Sequence, residues 1–242
     1  MFRVASLALI LVGCASASNP GVGGDDGGGD DQPPADAAPV IDTIPIDAAP
    51  MMVTLSQNSD ATTLTNNGSA QCSNATTGFT SENSWYRVFK LSDSQITSAL
   101  AVTKVSFGIA VSVGTPTIDI KLGTYAGTVT PTTAQLDTAM ITPIMATTHV
   151  APATTQAMAH VEDVPITATI PAGTQLIVEI HAADLTGMSK SFFLGGNNAA
   201  DTYPAYVRAP GAGCTITQPR SMDDLGFATA SPIITVTGTY QP

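Results

Sequence analysis

The chain has 242 residues, 43% of them hydrophobic and only 11% charged, and its formal net charge at pH 7 is -11. Eight Lys and Arg against nineteen Asp and Glu leave no clustered cations to neutralise phosphates. That balance speaks against a nucleic acid partner and gives no electrostatic attraction to anionic lipid.

The first predicted element is an export signal over residues 1–13. Arg3 supplies a short basic region, Val4 to Val12 form an apolar run too short to span a bilayer, and Gly13 is the small residue before the cut. Leu11-Val12-Gly13-Cys14 resembles the lipobox of bacterial lipoproteins, in which the cysteine thiol is diacylated and becomes the mature N-terminus. The resemblance makes Cys14 the lipidation site and the membrane a partner through its acyl chains, each buried methylene contributing about 0.8 kcal/mol. Ala15 stands where an aspartate accompanies inner-membrane retention in well-known Gram-negative systems. The expected place is therefore the cell envelope at the outer membrane, periplasmic or surface-exposed.

Residues 14–50 read as a disordered tether. Gly-Gly-Asp-Asp-Gly-Gly-Gly-Asp-Asp fills positions 23–31, and Asp-Ala-Ala-Pro recurs at 36–39 and 47–50. Glycine loosens the first half, while prolines and mutually repelling aspartates extend the second. The aspartate spacing does not match a calcium loop, so a solvated spacer is the expected role.

Residues 51–242 form one predicted domain, all-β and two-layered. Val105, Phe107, Ile109, Val111 and Val113 alternate with small or polar residues, and Ile118, Ile120 and Leu122 repeat the pattern. Gly114-Thr115-Pro116 between them predicts a hairpin. Further runs lie near Val53 and at Ser84 to Leu91, Val161 to Ile170, Gln175 to His181, Ser191 to Leu194, Ala205 to Arg208 and Ile233 to Tyr240. About nine strands result, with Pro171-Ala172-Gly173-Thr174 as another turn. Ser92 to Ala99, with Ser92 as N-cap, and Thr133 to Ala139 are candidates for a short helix. The pattern fits a jelly-roll-like antiparallel β-sandwich, with a closed barrel as the lesser option. With Cys14 assigned to lipid, Cys72 and Cys214 are expected to pair as a disulfide in an oxidising compartment.

The stretch Glu82-Asn83-Ser84-Trp85-Tyr86-Arg87-Val88-Phe89-Lys90-Leu91 resembles a module of secreted and surface proteins of Gram-negative bacteria, especially multidomain proteins of Bacteroidetes. So do 102–108, 171–179, 192–198 and 223–227, and the resemblance spans most of Cys72 to Tyr240. Cys214 falls where that module tends to carry a cysteine. The module accompanies proteases, nucleases and adhesion-like repeats as an accessory domain, which implies location and fold more than activity. The lipobox and the Asp-Ala-Ala-Pro linker resemble lipoproteins of myxobacteria.

Chemistry is sparsely signalled. No Gly-x-Ser-x-Gly elbow is present, and His149, His160 and His181 lack metal-ligand spacing, so no metal and no cofactor is expected. Glu179 takes the outward phase of its strand and reads as a solvated residue. Asp223 and Asp224 with Asn197, Asn198 or Asp201 offer oxygen ligands for calcium, but turn formation explains them better. Trp85 shares parity with Phe89 and Leu91 and belongs to the core. Tyr203, Tyr206 and Arg208 are the predicted exposed patch. The expected function is non-catalytic recognition or adhesion toward a glycan or an envelope protein. A purely structural role and a hydrolase assembled only in three dimensions are the alternatives.

Overall fold

The computed structural model describes residues 49–66, 68–211 and 213–242; the expected export signal, Cys14 and the expected tether up to residue 48 lie outside the described residues. Twelve strands form among the described residues, and in most of them alternating apolar residues bury one face of a pleated chain and leave the other to be covered separately. In chain order they are β1 (Met51–Ser56), β2 (Asn83–Lys90), β3 (Leu100–Val113), β4 (Thr117–Tyr125), β5 (Ile141–Val150) and β6 (His160–Ile170). There follow β7 (Gln175–Ala182), β8 (Ser191–Asn197), β9 (Tyr206–Ala209), β10 (Ile216–Ser221), β11 (Ser231–Pro232) and β12 (Ile234–Tyr240). The nine expected strands are present, joined by β5, β10 and β11.

Two six-stranded sheets stack. One runs β1-β12-β3-β8-β11, with β6 on the free side of β3; the other runs β10-β9-β2-β7-β4-β5. All pairings are antiparallel. Trp85, Phe107, Ile109, Ile120, Leu176, Ile180, Phe192 and Val236 from the two facing surfaces fill one core. Trp85 is fully buried, meets Phe192 edge-on at 5.9 Å, and donates its indole N–H to the Ala70 carbonyl at 2.8 Å.

The expected β3–β4 hairpin does not form. β3 pairs with β12, β6 and β8, whereas β4 pairs with β5 and β7. Gly114 and Thr115, at φ 72° and 47°, turn the chain from one sheet into the other, and Gly173 (φ 72°) does the same between β6 and β7. Alternation fixes which face of a strand is apolar; it does not fix the neighbour. This repeated crossing is the jelly-roll-like part of the wiring.

The expected helices reduce to single 3₁₀ turns at Leu91–Ser94 and Thr138–Met140. Ser92 is not a cap: Lys90 precedes the first turn and makes no side-chain cap bond. Asp137 caps the second through the Ala139 N–H at 2.9 Å. Cys72 and Cys214 are disulfide-bonded across 142 residues of chain. Close packing also demands glycine: a Cβ on Gly196 would lie 2.0 Å from the Gly68 carbonyl oxygen.

Candidate functional site

The pleat of β2 divides its side chains. Trp85, Arg87 and Phe89 share the inward phase, and Ser84, Tyr86, Val88 and Lys90 the outward one. Arg87 is thus a fully buried cation inside the sandwich. Its Nη1 donates to Asp201 Oδ2 at 2.9 Å and to the Tyr203 carbonyl at 3.0 Å. Nη2 donates to Asp201 Oδ1 at 3.1 Å, Ser231 Oγ at 3.0 Å and the Pro232 carbonyl at 2.7 Å, and Nε reaches the same carbonyl at 3.2 Å. All five guanidinium protons are engaged. Ser231 also bonds Asn58, whose amide nitrogen donates to Asn197 Oδ1 at 2.7 Å. This saturated network leaves no free donor for a ligand and holds Tyr203 from its backbone.

Tyr203 then organises the surface at the end of β2. Its hydroxyl donates to Asp93 Oδ2 at 2.7 Å, and the Lys90 ammonium stands 4.8 Å above its ring centroid. Lys90 borders a cleft of about 420 Å³ between the Leu91–Ser94 turn and the β6–β7 turn. Leu91 and Ile96, both buried in the core, form its floor. The polar lining comes from Ser92, Gln95, Thr97, Thr174 and Gln175. Gln95 closes the first turn in the left-handed region (φ 58°), and Thr174 Oγ1 pins the second by donating to the Pro171 carbonyl at 2.7 Å. Gln175 spends its amide N–H groups on the Tyr125 and Gly127 carbonyls at 3.2 and 2.6 Å, leaving Oε1 without a partner.

The outward face of β9, β2, β7 and β4 carries two cross-strand rows. Register places Arg208, Ser84, His181 and Asp119 in one, and Tyr206, Tyr86, Glu179 and Lys121 in the next. Ser84 Oγ lies 2.7 Å from Glu179 Oε1 and 3.0 Å from His181 Nδ1. Lys121 Nζ lies 3.2 Å from the same Glu179 oxygen. Burial, then Lys121, lowers the His181 pKa, opposed by Glu179, Asp119 and Glu82. Burial and the Glu179 charge push the Tyr86 hydroxyl up. Glu179 is therefore outward as expected, yet its side chain is only 19% exposed, because its row neighbours enclose it.

These three residues do not have triad geometry. A triad needs serine on one imidazole nitrogen and carboxylate on the other. Here Ser84 and Glu179 both approach Nδ1, the carboxylate at 3.9 Å, and Ser84 is fully buried in a paired strand. The adjoining hollow against Tyr86, Ile141, Pro143 and Ile177 measures about 60 Å³. At roughly 10–15 Å³ per water centre, it admits a few waters.

The predicted Tyr203, Tyr206 and Arg208 patch is not assembled. Tyr206 starts β9 and is fully buried, because Val129 and Leu136 of the β4–β5 connection lie across that part of the sheet. The connection is fastened by Leu136 N–H to the Pro219 carbonyl at 2.9 Å and Ser221 N–H to the Ala134 carbonyl at 2.7 Å. Burial also raises the Tyr206 pKa. Arg208 pairs with Glu82 at 2.9 Å and donates to the Thr217 carbonyl at 3.2 Å. It sits opposite Ser84, whereas Tyr203 meets Lys90, six residues along β2 and on the order of 20 Å away.

Asp201 and Asn197, weighed as calcium ligands, belong to the Arg87 network, while Asp224 pairs with Arg220. His149 and His160 flank Glu162 at 3.2 and 3.1 Å. Among the described residues, no three His, Cys, Asp or Glu side chains gather so as to hold a metal ion, and no helix is long and apolar enough to cross a membrane.

No family model matches the sequence, and no curated protein matches it. Among solved structures, one described as "Structure of infectious bursal disease virus Gx strain" is similar over 81% of this chain and 37% of that chain. Its sequence identity is 12% and its TM-score 0.28, an overlap that transfers neither fold nor activity.

Proposed function

We propose that the chain is a lipid-anchored lipoprotein of the cell envelope, placed at the outer membrane, whose β-sandwich is a non-catalytic glycan-recognition module. The observation that carries the recognition reading is the Lys90 cleft. Its size falls in the range of small-molecule sites, about 300–1,000 Å³, and it combines an aliphatic floor with a few converging polar groups. Hydroxyl and amide side chains above Leu91 and Ile96 match a pyranose, which offers hydroxyls at its edge and C–H groups on its face. The Cys14 lipobox and the tether supply the anchor, and the likeness to surface modules of Gram-negative bacteria agrees with that place.

The recognition reading is tested by screening the purified chain against soluble glycans and repeating each hit with Thr97→Trp. Thr97 is exposed on the rim, so a bulky ring there obstructs the cleft without disturbing the core. At least one glycan is expected to bind, with roughly tenfold or greater weakening in the variant, a loss of about 1.4 kcal/mol. No binding across the screen, or equal binding by Thr97→Trp, contradicts the site. For the anchor, Cys14→Ala is expected to abolish incorporation of a fatty-acid probe, and persistent labelling removes Cys14 as the lipid site.

A further inference from the structure

We propose that the cleft selects an acidic sugar, with the Lys90 ammonium receiving the sugar carboxylate; the proposal rests on the glycan reading above. Five of the seven Lys and Arg in the described residues are paired with carboxylates: Arg87, Lys104, Lys121, Arg208 and Arg220. Lys90 is not, in a chain whose formal net charge is -11. Its nearest fixed partner is the π face of Tyr203 at 4.8 Å. An aromatic face orients an ammonium without neutralising it, so the full charge remains for a ligand.

The surroundings hold that charge in place. Tyr203 is fixed at its carbonyl by Arg87 and at its hydroxyl by Asp93. Asp93, the acidic residue of the adjoining turn, accepts from that hydroxyl, and among the described residues it forms no ion pair with Lys90. Lys90 is the sole ionisable side chain in the lining, beside Ser92, Gln95, Thr97, Thr174 and Gln175. A neutral hexose satisfies the hydroxyl and amide groups alone. A sugar that also bears a carboxylate adds a charge-assisted hydrogen bond, about twice as strong as a neutral one.

The test compares acidic with neutral probes on the purified full chain by calorimetry: oligogalacturonate against galactan oligomers of equal length, and sialyllactose against lactose. At least one acidic probe is expected to bind roughly tenfold tighter than its neutral counterpart, with the margin shrinking as salt is raised. Lys90→Gln should erase the margin, the ratio of acidic to neutral affinity falling to about one, and Lys90→Arg should retain it. Equal affinity for acidic and neutral probes, or a margin surviving in Lys90→Gln, overturns the acidic-sugar proposal while leaving glycan recognition standing. If no glycan of any charge binds, the recognition reading and this proposal fall together.

Discussion

Asp201→Ala is expected to destabilise the domain by about 3–5 kcal/mol, because it strands a buried cation. Arg87 has no exposed side-chain surface, and Asp201 supplies two of its hydrogen bonds and, among the described residues, its only ion pair. The remaining partners are the Ser231 hydroxyl and the Tyr203 and Pro232 carbonyls. They are neutral, so they solvate the guanidinium without balancing its charge. Against a typical total stability of about 5–15 kcal/mol, the loss is a large fraction. For a domain of this size it corresponds to a fall in melting temperature on the order of 10 °C. Urea unfolding should show a lower midpoint at unchanged slope, the mark of lost stability rather than an altered end state. Arg87→Met should be damaging too, since the Tyr203 and Pro232 carbonyls then lose their donor. A change below about 1 kcal/mol in Asp201→Ala, the size of an exposed ion pair, contradicts the buried-network account. The same substitution releases Tyr203 and should weaken the ordering of Lys90 beside the cleft.

The second large effect is expected from removing the Cys72–Cys214 bond. It closes a sequence separation of 142 residues, for which chain entropy gives an upper figure of about 5 kcal/mol, and native disulfides commonly contribute about 2–4 kcal/mol. Cys72 stays in place without its partner, because Asn83 accepts its N–H at 2.7 Å and donates to its carbonyl at 2.8 Å. The change therefore acts chiefly on the unfolded chain, which gains freedom and exposes more surface. Cys72→Ala with Cys214→Ala should lower stability by about 2–4 kcal/mol and raise the urea slope. An unchanged midpoint and slope would contradict a structural role for the bond.

Layering and burial were legible in the sequence, whereas neighbours were not. The alternation at 105–113 identified β3, and its inward face from Val105 to Ile109; a bulge between Ile109 and Val111 then reverses the parity, burying Ser112 and leaving Val113 48% exposed. The parity of Trp85 placed it in the core. The same signal paired β3 with β4, because Gly114-Thr115-Pro116 turns a chain equally well within a sheet or between sheets. β5, β10 and β11 escaped notice for a common reason: as short or edge strands they lack a regular apolar stripe, and the burial of β5 is mixed along its length.

The site was legible only in part. Tyr203 stands against Lys90 beside the proposed cleft, but Tyr206 and Arg208 depart from it, since no local pattern announces that Val129 and Leu136 cover the sheet. Lys90 carries no distinguishing signal in the sequence. Its meaning depends on the turn at Leu91–Ser94, the distant turn at Gly173 and the ring of Tyr203, which only the fold unites. The adjacency of Ser84, His181 and Glu179 likewise comes from β2–β7 register.

The most direct measurement is amide chemical-shift mapping of the isotope-labelled chain during titration with an oligosaccharide identified in the glycan screen. Glycan recognition at the Lys90 cleft predicts that shifts concentrate at 90–97 and 173–175, the two turns that line it. Shifts centred instead on Ser84, Glu179, His181 and Arg208, or no shifts at any glycan concentration, would contradict it.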